Sequence, residues 1–131
     1  MEKRTLGQGD VEVVLTNDKG EARTFVLKPS LHAMRTLSRK YGGLEPLIKK
    51  IGLLDFDTIV DVMMAGMQIT PDPKRHRELE ELVFSSGLSD QSGALPSLCV
   101  RYVIILMHGG KPPAEEPKGD VDTSANPPNA S

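Results

Sequence analysis

The sequence has no tryptophan, two tyrosines, three phenylalanines and a single cysteine, Cys99. One cysteine excludes an intrachain disulfide framework and any multi-cysteine zinc centre. The aromatic residues, Phe25, Tyr41, Phe56, Phe84 and Tyr102, are too few to build the stacking platforms that hold single-stranded nucleic acid. A long apolar run is also missing. The richest stretch, residues 98–107, is interrupted by Arg101 and falls far short of the ~20 residues that span a bilayer. Residues 1–10 carry charges with no apolar core behind them, which is not the pattern of a secretory signal. Neither sign of charge dominates: 16 Lys+Arg stand against 18 Asp+Glu, a formal net charge of −2, and this weighs against a phosphate-binding surface. The 131 residues, 38% of them hydrophobic, predict one soluble, intracellular domain with a core that needs no metal staple.

Two segments with a period of two open the chain. Val11, Val13 and Leu15 alternate with Glu12, Val14 and Thr16, and Phe25 and Leu27 alternate with Thr24 and Val26. Between them, Asp18-Lys19-Gly20 reads as a three-residue hairpin loop with Gly20 in the left-handed position. That loop sets Val13 opposite Phe25 and Val11 opposite Leu27, and the hairpin occupies residues 10–27. Two strands are not stable alone, so their apolar face must pack on something else.

Helical patterns follow. Ser30 caps a helix over 31–41, with Leu31, Met34, Leu37 and Tyr41 expected on its core side, and Gly42-Gly43 ends it. A short helix over 44–51 tolerates Pro46 in its first turn. Asp55 or Asp57 caps a helix over 56–68, and Asp72-Pro73 starts another over 73–86 that uses Leu79, Leu82 and Val83. The last helix, 94–108, is apolar on most sides, which marks either the centre of a bundle or half of a partner interface. The fold class predicted is α+β and mostly α: an N-terminal β-hairpin packed on a small bundle of four or five helices. Residues 1–108 form the single globular domain. Residues 109–131, with five prolines and Val121 among small and charged residues, form a disordered tail.

Catalytic, cofactor and metal patterns are not legible. His32, His76 and His108 fall on three helices, none with a carboxylate at ligand spacing, and read as exposed or helix-end residues. Asp55, Asp57 and Asp61 read as a cap plus a solvated face, and Cys99 as a buried, inert thiol. The basic residues Arg35, Arg39, Lys40, Lys49, Lys50, Lys74, Arg75 and Arg77 raise DNA binding as a possibility, but Glu78, Glu80 and Glu81 follow directly and suggest a solvated, internally paired helix. No enzyme, no cofactor, no nucleic acid and no membrane partner is expected. Met63, Met64 and Met67 have two readings, core or an adaptable face for another polypeptide. The second gives a partner-binding surface of Met63, Met64, Met67, Ile105, Leu106 and Met107. Self-association is left open.

The ordered features resemble a known family. They are Gly9-Asp10-Val11-Glu12-Val13, a glycine turn, and Phe25-Val26-Leu27-Lys28-Pro29-Ser30-Leu31-His32-Ala33 running from strand into capped helix. Gly42-Gly43-Leu44, Asp57-Thr58-Ile59-Val60, Ala65-Gly66-Met67 and the apolar last helix complete the set. Over residues 9–110 this is similar to phage tail assembly chaperones, of the branch related to gene transfer agents; Pro46 and Pro71-Asp72-Pro73 lie outside that pattern. The resemblance implies a non-enzymatic role in virion assembly, with the tape measure protein and the tail tube protein as partners. It also implies action in the host cytoplasm, absence from the mature virion, and in many phages a longer frameshifted product. A structural head–tail connector or minor tail protein is the alternative.

Overall fold

Asn17 organises the first turn. Its side-chain carbonyl accepts from the N–H groups of Lys19 and Glu21, both at 2.9 Å, and Gly20 takes the left-handed conformation at φ 83°. This closes an antiparallel hairpin of β1 (Val11–Thr16) and β2 (Ala22–Leu27), with Val11 opposite Leu27 and Val13 opposite Phe25, the register expected from the turn chemistry. The computed structural model describes residues 7–68, 72–88 and 94–112. Among the described residues five helices follow the hairpin: α1 (Leu31–Tyr41), α2 (Leu44–Gly52), α3 (Phe56–Met67), α4 (Pro73–Ser86) and α5 (Leu95–Met107). The fold is thus a two-stranded hairpin on a mostly helical body, as the hydrophobic patterning predicts. The tail expected from residue 109 begins later: residues 109–112 are described, with Gly110 bonded back to Ile105 in a turn, and residue 113 onward lies outside the described residues.

Local chemistry explains three of the helix starts. Ser30 Oγ accepts from Ala33 N–H at 3.0 Å, Asp55 from Thr58 N–H at 3.1 Å, and Asp72 from Lys74 N–H at 3.0 Å, each satisfying a backbone donor that an α-helix leaves free. Asp55, rather than Asp57, is the cap of α3. The buried face of the hairpin, Val11, Val13, Leu15 and Leu27, rests on α3, α4 and α5.

Three ties fix the hairpin on the helices. Lys28 N–H donates to the Gly66 carbonyl at 2.9 Å, and the buried Tyr102 hydroxyl donates to the Lys28 carbonyl at 2.7 Å. At the other end, Ser86 Oγ accepts from Thr16 N–H at 2.7 Å and donates to the Thr16 carbonyl at 3.1 Å, so α4 engages both outward-facing backbone groups of that residue. α5 is the centre of the bundle. It buries Leu95, Pro96, Cys99, Tyr102, Val103, Ile105 and Leu106 and packs on α2, α3 and β1.

Two expectations need correction. The core side of α1 is Ala33 and Leu37, with Tyr41 half-buried; Leu31 is 68% exposed and Met34 36% exposed. At about 100° per residue, Leu31 lies roughly 120° around the helix from Leu37, so the two cannot both face the core squarely. The supposed partner surface also divides. Met63, Ile105 and Leu106 are sealed in the core, Met64 and Met67 are half-buried, and Met107 alone of the six is exposed, at 47%. Met63 points the same way as the buried Ile59 and Val60, so burying that stripe of α3 takes Met63 with it.

Candidate functional site

Two concave surfaces flank α1. The larger, about 700 Å³, lies between α1, α3 and the start of α4, with Leu37, Met64 and Ala65 as apolar walls and His32, Gln68 and His76 among its polar lining. At its edge the Asp61 carboxylate takes two donors from the end of α1: the Tyr41 hydroxyl and, at 2.8 Å, the Lys40 ammonium. The Lys40 ammonium also stands 6.0 Å from the centre of the Tyr41 ring. Asp61 is 18% exposed at its side chain but Lys40 is 60% exposed, so the ion pair is largely solvent-screened and the Tyr41 hydroxyl is the more sheltered of the two donors. Burial, and then the hydrogen bond to Asp61, push the Tyr41 phenol up to about 12. This cluster locks the C-terminal end of α1 onto α3.

The sequence reading placed Asp61 on a solvated face and missed these partners, which lie twenty residues away in the chain. A carboxylate among Val60, Val62, Met63 and Met64 was the available signal. A second correction concerns His76: its Nδ1 lies 3.6 Å from a Glu80 carboxylate oxygen, one helical turn on. His32 and His108 are exposed as expected, and His108 Nδ1 sits 2.9 Å from the Ile104 carbonyl at the end of α5. Among the described residues no group of three or more His, Cys, Asp or Glu side chains could hold a metal ion, and no helix is long and apolar enough to cross a membrane. Cys99 is buried, and burial pushes its thiol up to about 12.

The smaller surface is a groove of about 600 Å³ at the start of α1, and it shares Ser30 and Gln68 with the larger cleft. Leu31 and Met34 form one side, Leu106 and Gly109-Gly110 the other, and Lys28, Pro29 and Asp10 line it between them. Local chemistry builds this junction. Gly110 N–H donates to the Ile105 carbonyl at 2.9 Å, turning the chain back at the end of α5. Gly9, at φ 86°, lies against that turn so closely that a Cβ there would sit 2.3 Å from the Gly110 carbonyl oxygen. Asp10, with a nearly buried side chain, takes the Lys28 ammonium at 3.1 Å and leaves that cation 55% exposed.

The groove therefore combines solvent-facing aliphatic side chains with a cationic edge. Of the residues predicted to bind a partner, Leu106 lines it and Met107 is its neighbour in the chain; Met64 lines the larger cleft and Met67 a third hollow beside Arg23 and Phe25. The structure does not bring the six together. No protein-family profile, no curated protein and no solved structure matches this chain.

Proposed function

We propose that this chain is a non-enzymatic assembly chaperone of the phage-tail kind, which holds an apolar helical stretch of the tape measure protein while tail tube subunits are recruited around it. The observation that carries the reading is the groove between the start of α1 and the end of α5, where Leu31 and Met34 meet water beside Leu106. Apolar surface withdrawn from water is favourable by ~25 cal/mol per Å², and a client helix with anchors at i, i+3 and i+7 supplies such cover. The Lys40–Asp61–Tyr41 cluster supports the same reading indirectly, because it fixes the helix on which Leu31 and Met34 are displayed. In this reading the protein acts in the host cytoplasm and leaves before the particle matures.

Copurification of the full chain with a tape measure fragment tests the proposal. Leu31→Asp and Met34→Asp, made separately, should each weaken capture by about tenfold or more while circular dichroism stays unchanged; tenfold corresponds to about 1.4 kcal/mol. Capture unaffected by both substitutions retires this surface. Stoichiometric retention of the chain in purified mature particles would replace the chaperone by a structural connector or minor tail subunit.

A further inference from the structure

Charge is unevenly distributed along this nearly neutral chain. Residues 28–52 carry six cations, Lys28, Arg35, Arg39, Lys40, Lys49 and Lys50, against one acid, Glu45. Residues 113–131 carry the opposite excess, with Glu115, Glu116, Asp120 and Asp122 against Lys118. Their one Val, Leu, Ile or Met side chain is Val121, and a carboxylate flanks it on each side.

The groove of Leu31 and Met34 has the complementary form. Leu31, Met34 and Pro29 give it an apolar side beside the polar Gln8, Ser30 and Gln68, its edge carries the half-exposed Lys28 ammonium, and Arg35 follows Met34 on the exposed side of α1. The chain leaves the described structure from this same place, since Gly110 lines the groove. Val121 is eleven positions beyond Gly110, which allows a reach of up to roughly 36 Å when extended. A ligand tethered this close has an effective concentration on the order of millimolar, so a short and individually weak contact is sufficient.

We infer that the segment Asp120-Val121-Asp122 returns to the groove of its own chain, with Val121 against Leu31 and Met34 and its flanking carboxylates at Lys28 and Arg35. The segment then occupies the surface assigned above to the client, and a client helix must displace it. The contact belongs to the free chain and its test uses no client, so either reading can fail without the other.

The experiment is methyl NMR on the full chain at low salt, following the Leu31 δ and Met34 ε methyl groups, with the exposed Leu53 as internal control. Two variants are made in the tail: Val121→Asp, and Asp120→Lys with Asp122→Lys, each checked by an unchanged Leu53 resonance. Both should shift the Leu31 and Met34 resonances and leave Leu53 in place. Added salt should shift the same two resonances in the unsubstituted chain, because the carboxylate contacts are solvent-screened. Leu31 and Met34 resonances that stay put in both variants overturn the inference. Shifts that disappear on dilution assign the groove to the tail of a second copy and overturn the intrachain contact.

Discussion

Gly66 of α3 and Leu27 of β2 are in direct apposition: a Cβ at position 66 would lie 2.8 Å from the Leu27 Cβ and 3.2 Å from its Cα. The hairpin rides on α3 at a distance only glycine allows, and the Lys28 N–H bond to the Gly66 carbonyl is made across the same contact. In a free helix Gly→Ala is favourable by up to ~1 kcal/mol. Here the obstacle is backbone and Cβ, which cannot rotate aside.

Gly66→Ala is therefore expected to lower unfolding stability by about 1–2 kcal/mol, the net of overpacking against helix propensity. A shifted urea midpoint with an unchanged slope checks it. A stabilised variant would mean that the hairpin moves freely on α3.

Tyr41 and Asp61 give a second prediction. Tyr41→Phe removes one charge-assisted hydrogen bond and should cost about 1–2 kcal/mol, while Asp61→Asn should bring the phenol back down toward its ordinary value. The sign follows from the raised value. The neutral phenol is the form the fold prefers, so this contribution is fully present below pH 10, the ordinary value, and is lost as pH rises through about 12. Ultraviolet titration of phenolate formation in the native chain and the Asp61→Asn variant measures the difference.

Cys99 should behave as a probe of opening. Its thiol, held up to about 12 by burial, favours the folded state fully below pH 9, its ordinary value, and loses that contribution between pH 9 and about 12. A thiol-specific reagent at neutral pH should label it only at the rate of unfolding. Rapid labelling with the native fold retained would show that the centre of α5 is accessible.

Core and groove residues should separate cleanly by substitution. Met63→Ala should cost roughly 2–5 kcal/mol because it empties a fully buried site. Leu31→Asp should change stability by no more than about 0.5 kcal/mol, since its side chain takes no part in the packed core. Thermal or denaturant unfolding of the two variants tests the assignment directly.

Turn and cap chemistry made most of the fold legible in the sequence. Gly20, Ser30, Asp55 and Asp72-Pro73 act within a few residues of themselves, so hairpin register and the starts of α1, α3 and α4 follow from local pattern. Rotation of a helix about its axis is set by distant neighbours, and there the reading failed. Leu31, Met34 and Leu37 trace an apolar arc about 120° wide, whereas Ala33 and Leu37 lie within about 40° of each other, and the packing of α1 on α2 and α3 uses the narrower face. The same holds for Met63, inward, and Met64, half outward. Along α5, where nearly every position is apolar, sequence alone gave no means of ranking Ile105 and Leu106 as core and Met107 as surface. The Asp61 cluster was illegible for a different reason: its members meet only after α1 and α3 have docked.

Ser86 has one more consequence. A two-stranded ribbon presents raw edges, and another strand can extend it by pairing with them. Because one hydroxyl from α4 both gives to and takes from Thr16, the outer margin of β1 is already spoken for at that position, and an incoming strand would have to break two bonds to pair there. Self-templated growth is thereby discouraged by a side chain no larger than serine.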